Sequence, residues 1–138
     1  MRPPQSGRAC CTIAYMSRSS LLVLYLGALV ATRVAFSLAL TASATTPHNA
    51  WFTPVHFLAG MSIGVFALWG ATFARVPQRP YLFALALAVS IGTAWELWEY
   101  ALGLTAFPTD VADTVLDLVA DMAGALSAVA LVRYYTKA

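Results

Sequence analysis

The sequence predicts an all-α polytopic membrane protein, a bundle of four transmembrane helices with both termini cytoplasmic. Three observations predict it. Of the 138 residues, 60% are hydrophobic and only 10% charged, where soluble domains carry about a quarter charged. Four stretches are long and apolar enough to cross a bilayer, which takes about 20 residues. The cations and anions are sorted along the chain, cations to one side of the spans and acids to the other.

The spans run over about residues 21–42, 55–74, 81–102 and 111–134, after an N-terminal tail of residues 1–19; residues 20–138 make the membrane domain. The first connector holds Pro47, His48 and Asn49, the second Pro77, Arg79 and Pro80, and the third Gly103 and Pro108. Such short connectors with helix breakers join antiparallel neighbours. Pro54 precedes the second span, where a proline suits the first helical turn. The net charge of +2 is too small and too scattered for a nucleic-acid footprint. The adjacent Cys10 and Cys11 form no disulfide framework, and their place before the first span is one where palmitoylation occurs. Two alternatives concern the N-terminal region: a start at Met16, and cleavage after Ala42-Ser43-Ala44, against which the long apolar run and Arg33 both speak.

Arg2, Arg8 and Arg18 precede the first span, Arg75 and Arg79 occupy the second connector, and Arg133 and Lys137 follow the fourth span. Positive residues stay in the cytoplasm, so both termini are expected inside, with the first and third connectors outside, in a bacterial inner membrane. The eighth cation, Arg33, lies within the first span. All six acids, Glu96, Glu99, Asp110, Asp113, Asp117 and Asp121, and both histidines, His48 and His56, fall in the outer half.

Residues three and four apart share a helix face. Asp110, Asp113, Asp117, Asp121, Gly124 and Ala128 form one stripe; Ala88, Gly92, Glu96, Glu99 and Gly103 a second; His56, Gly60, Gly64, Ala67, Ala71 and Ala74 a third. Small residues at this spacing mark close helix packing, which assigns Gly60, Gly64, Gly92 and Gly124 to helix contacts and turns the ionisable residues away from lipid. A lipid-facing acid or base at mid-bilayer costs about 2.5–3.5 kcal/mol even on lenient scales. Arg33 and Asp121 lie at similar depth, and a structural ion pair between them is expected. Trp95, Trp98 and Tyr100, with Trp51 and Phe52, read as an outer aromatic belt.

The strings His56-Phe57-Leu58-Ala59-Gly60, Trp95-Glu96-Leu97-Trp98-Glu99-Tyr100 and Asp110-x-x-Asp113-Thr114-x-x-Asp117-x-x-x-Asp121-x-x-Gly124-Ala125 resemble small bacterial inner-membrane proteins of the YjdF-like kind. They are similar, more distantly, to the VanZ-like family associated with glycopeptide-antibiotic resistance. The resemblance spans about residues 54–126 and implies a membrane helix bundle without implying a reaction. This chain departs from the pattern at Phe52, where those families often have aspartate, and at Asp121, where asparagine is common.

Three functions suit these residues. The first is an outward-facing polar site in which His56, Glu96, Glu99, Asp113 and Asp117 bind a divalent metal or handle a polar or lipid headgroup. A histidine with carboxylates suits zinc, manganese or iron, and bundle cores hold such sites. Glu96 and Glu99 are then the catalytic candidates for metal-assisted hydrolysis of an envelope lipid or polymer linkage at the outer leaflet. The second is a proton- or cation-linked transporter acting as a homo-oligomer, since intramembrane acids often serve transport. The third is a scaffold whose acidic network fixes helix register, with Asp110 and Asp113 favouring the start of the fourth helix. No H-E-x-x-H, G-x-S-x-G or glycine-rich phosphate loop is present. The partners expected are the lipid bilayer and a second copy of the chain, with no nucleic acid.

Overall fold

A computed structural model describes residues 16–45, 52–73, 79–104 and 110–136. The described residues form four helices: α1 (Arg18–Thr45), α2 (Thr53–Ala71), α3 (Pro80–Ala101) and α4 (Val111–Tyr135). Each is long and apolar enough to span a membrane. The boundaries lie within about three residues of those read from the sequence, the usual uncertainty of helix ends. α1 is the exception in extent, running about a turn beyond the apolar stretch and through Ala42-Ser43-Ala44. Cys10, Cys11, His48, Trp51, Ala74, Arg75 and Lys137 lie outside the described residues.

Local chemistry sets the helix ends. Proline occupies the opening turn of both α2 and α3, where a missing N–H costs nothing. α3 ends on Gly103, whose φ of +69° favours glycine. There Gly103 N–H donates to Tyr100 O and Leu104 N–H to Glu99 O, both at 3.0 Å. This Schellman arrangement satisfies the last carbonyls of the helix one turn from the glutamates.

α2 and α4 run parallel and make the most intimate contact of the bundle; α1 packs on α2, and α3 packs on α4 and α2. The reason is side-chain size. Gly60 lies against the backbone of Asp121, Gly124 against the backbone of Phe57, and Gly64 against that of Ala125. On α3, Pro80, Ala84, Ala88 and Gly92 are buried, a strict four-residue stripe whose next member is Glu96. Below the carboxylates the interior is apolar, built from Val65, Ala67, Leu68, Ala84, Ala88, Ala125, Ala128, Val129 and Val132. Thr32 of α1 and Ser62 of α2 meet through their hydroxyls at 3.3 Å, a small polar tie of the kind found between membrane helices.

The outer surfaces of α1 and α3 are apolar and exposed, with Val23, Leu26, Val30, Val34 and Leu38 on α1 and Leu82, Ile91 and Leu97 on α3. Apolar surface this continuous belongs in lipid. At one end of the bundle Arg18 Nη2 donates to Thr72 O at 2.8 Å, and the Arg133 guanidinium lies 5.1 Å from the Tyr81 ring centroid. The carboxylates lie toward the opposite end.

Arg33 does not pair with Asp121. It lies on the exposed face of α1, 5.8 Å from the Phe36 ring centroid, while Asp121 faces His56. The depth argument holds, because Thr32 is level with Ser62 and the adjacent Gly60 with Asp121. The pairing fails because α2 stands between α1 and α4.

Candidate functional site

The site lies where the start of α2, the end of α3 and the start of α4 converge, toward the end of the bundle opposite Arg18 and Arg133. α2 contributes His56 from its first turn, just after Pro54 and Val55. Gly60 admits the α4 backbone so closely that the imidazole reaches between two aspartates of α4. His56 Nε2 is 3.5 Å from Asp117 Oδ2, and Nδ1 is 3.4 Å from Asp121 Oδ2. Asp117 and Asp121 are one turn apart on the buried stripe of α4, 6% and 3% exposed respectively. Their other oxygens, Oδ1 of each, are buried without a hydrogen-bond partner. Such an orphan costs about 1–3 kcal/mol or more for a charged group, a cost that protonation, a water molecule or a cation relieves.

α3 brings Glu96 in from the third side. Thr114 Oγ1 donates to its Oε2 at 2.7 Å, a charge-assisted bond that turns the carboxylate toward α4 and offsets its unfavourable place near a helix C-terminus. His56, Glu96 and Asp117 can each offer one donor atom such that all three lie within 4.8 Å of one another. Glu99, one turn further out, is half-buried and accepts from Trp95 Nε1 at 2.8 Å. It lies at the rim, within electrostatic reach of Glu96, His56 and Asp113.

The structure therefore brings together three of the five residues expected to bind a cation, and places Glu99 and Asp113 beside them rather than in the converging set. Asp113 sits in the first turn of α4, and Asp110 takes the N-cap position without a side-chain cap bond. A negative charge at this position also favours the positive end of the helix dipole. Asp121 belongs with His56, a role its sequence position four residues after Asp117 could have suggested. Thr114 carried no role in the motif strings and Trp95 only that of a belt residue; the antiparallel register of α3 and α4 is what brings Thr114 to Glu96, and Trp95 proves also to donate to Glu99. Trp95 and Trp98 stack at 5.0 Å between centroids on the exposed side of α3, as an interfacial belt requires.

The model of a family described as predicted membrane protein (DUF2238) matches residues 20–138. The chain belongs to the DUF2238 family. That match covers all but the first two residues of the four helices and includes every residue of the site. No curated protein and no solved structure matches the chain.

Proposed function

We propose that this DUF2238 protein is a multi-pass protein of the bacterial inner membrane, both termini cytoplasmic, whose outward-facing site binds a divalent transition metal through His56, Glu96 and Asp117. The observation that carries the reading is the convergence of one donor atom each from His56, Glu96 and Asp117 within 4.8 Å of one another, beside a buried oxygen of Asp117 that has no hydrogen-bond partner. One distance supports it. Ligands about 2.0–2.1 Å from a tetrahedral zinc stand about 3.4 Å apart along each edge, and His56 Nε2 and Asp117 Oδ2 are 3.5 Å apart. The nitrogen donor favours zinc, manganese or iron over magnesium or calcium, which take oxygen ligands.

Three protein ligands leave a further position of the kind catalytic sites keep for water or substrate. A metal there would polarise a substrate oxygen or lower the pKa of a bound water. Glu99, held by Trp95 at the rim, would then be the proton acceptor, and the aromatic and lipid surroundings suit an envelope lipid or polymer headgroup as substrate. The sorting of cations supports the orientation: among the described residues Arg18, Arg79 and Arg133 lie at the end away from the site. Transport is less well supported, because among the described residues the interior beneath Asp121 is apolar apart from the Ser62 and Thr32 hydroxyls.

A second reading is favoured by one observation: both ring nitrogens of His56 face carboxylates. An imidazolium clamped between Asp117 and Asp121 would fix helix register without a metal. Titration of zinc or manganese into purified protein separates the two. The metal reading predicts binding that Glu96→Gln and Asp117→Asn each weaken at least tenfold while the fold persists. Wild-type protein that binds neither ion leaves the imidazolium clamp.

A further inference from the structure

We infer that Asp121 is the positioning residue that commits the site to a transition metal: it holds the His56 ring from Nδ1 and so presents the Nε2 lone pair to Glu96 and Asp117. The inference rests on the metal reading above and adds a residue that is not itself a ligand.

Three observations carry it. First, a carboxylate accepts and cannot donate, and both ring nitrogens of His56 face one, Nδ1 at 3.4 Å from Asp121 Oδ2 and Nε2 at 3.5 Å from Asp117 Oδ2. Only Nε2 faces a member of the converging set, so a metal bound there leaves the ring proton on Nδ1, toward Asp121. Metal-binding histidines are commonly oriented this way by a carboxylate on the second nitrogen, and loss of that partner typically costs 10–100-fold in affinity. Secondly, Asp121 stands apart from the metal position. Its Oδ2 lies on the far side of the ring from Nε2, and its 3% exposure shields it from solvent.

Thirdly, glycines on three helices shape the space around this one aspartate. Gly60 admits its backbone, and Gly124 brings the α2 backbone at Phe57, next to His56, against α4. Gly92 of α3 faces its carboxylate: a methyl there would come within 2.7 Å of Asp121 Oδ2 and 2.9 Å of Leu118 Cδ2. Those two atoms are the ends of flexible side chains, so an alanine at position 92 is accommodated by swinging Asp121 away from His56. Gly60 and Gly124 meet backbone and have no such relief. Gly92 thus reports on the Asp121 contact without altering any ligand.

The test is titration of zinc and, separately, magnesium into the full chain in lipid nanodiscs, with thermal midpoints recorded before metal is added. Asp121→Ala should weaken zinc 10–100-fold. Asp121→Asn should fall between it and wild type, because its amide oxygen still accepts from Nδ1–H. Gly92→Ala should also weaken zinc at least tenfold, with its midpoint unchanged. Weak magnesium binding should be the same in all four proteins. Ring nitrogen chemical shifts of His56 in the zinc-loaded wild type should show Nε2 bound to metal and Nδ1 protonated, and only His48 must be told apart from it. Zinc bound equally by wild type, Asp121→Asn and Gly92→Ala overturns the role of Asp121 and leaves the metal reading intact. Zinc bound by none of the proteins overturns both.

Discussion

Replacing Gly60 with alanine puts a methyl group onto the main-chain carbonyl of Asp121. No side-chain rotation relieves the overlap, because the obstructing atoms are backbone. To restore ordinary contact α2 and α4 must part by roughly 1 Å, and a forced expansion of a packed interior costs about 1–3 kcal/mol. Alanine recovers up to about 1 kcal/mol through its better helix propensity. With the clash at the upper end of its range, the net loss is about 2 kcal/mol. Gly27 provides the control, since a methyl there meets no atom within 4 Å and keeps only the propensity gain. The two variants should therefore differ by about 3 kcal/mol. Reversible unfolding in mixed micelles titrated with a denaturing detergent reads this difference directly. Gly124→Ala should behave like Gly60→Ala, as its methyl would meet the Phe57 carbonyl. If Gly60→Ala and Gly124→Ala prove as stable as Gly27→Ala, the close α2–α4 crossing that builds the site is wrong.

Removing His56 as alanine strands two buried carboxylates, and breaking such a pair costs about 3–5 kcal/mol; in the absence of metal the variant should denature well before wild type in the same detergent titration. Thr114→Val keeps the volume but removes the donor to Glu96, which should cost about 1.5–3 kcal/mol for a bond to a charged group and weaken zinc measurably in the same titration. Arg33→Leu should leave the thermal midpoint unchanged or raised, because Arg33 has an aromatic ring beside it and no acid; a large drop would restore the ion pair with Asp121. In a chain whose Cys10 and Cys11 are replaced, Leu104→Cys should react with a membrane-impermeant thiol reagent in spheroplasts with an intact inner membrane. Labelling only after lysis would reverse the proposed orientation.

The helices were legible because their apolar length and bounding prolines are local properties. The approach of α2 to α4 was legible in part, since Gly60, Gly64 and Gly124 fall at three- or four-residue spacing on stripes that also carry His56, Asp117 and Asp121. What the sequence could not settle was the order of packing. Small-residue stripes occur on α2, α3 and α4 alike, and depth along a span says nothing about azimuth. Arg33 illustrates the point: it is level with Asp121, yet α2 intervenes. The acids divided for a similar reason. Glu96 and Glu99 lie on one face three residues apart, but only Glu96 continues the strict four-residue series of Ala84, Ala88 and Gly92 that points at α4. Glu99 sits off that line and closes on Trp95 of its own helix.

The metal reading stands or falls on the content of the protein as the cell makes it. Elemental analysis of the chain purified without added metal and without chelator should find stoichiometric zinc, manganese or iron. In Asp117→Asn that metal should be lost while the helix content remains. A folded wild-type protein carrying no more transition metal than the Asp117→Asn variant would contradict the account, and would leave His56 a charged clamp between two aspartates.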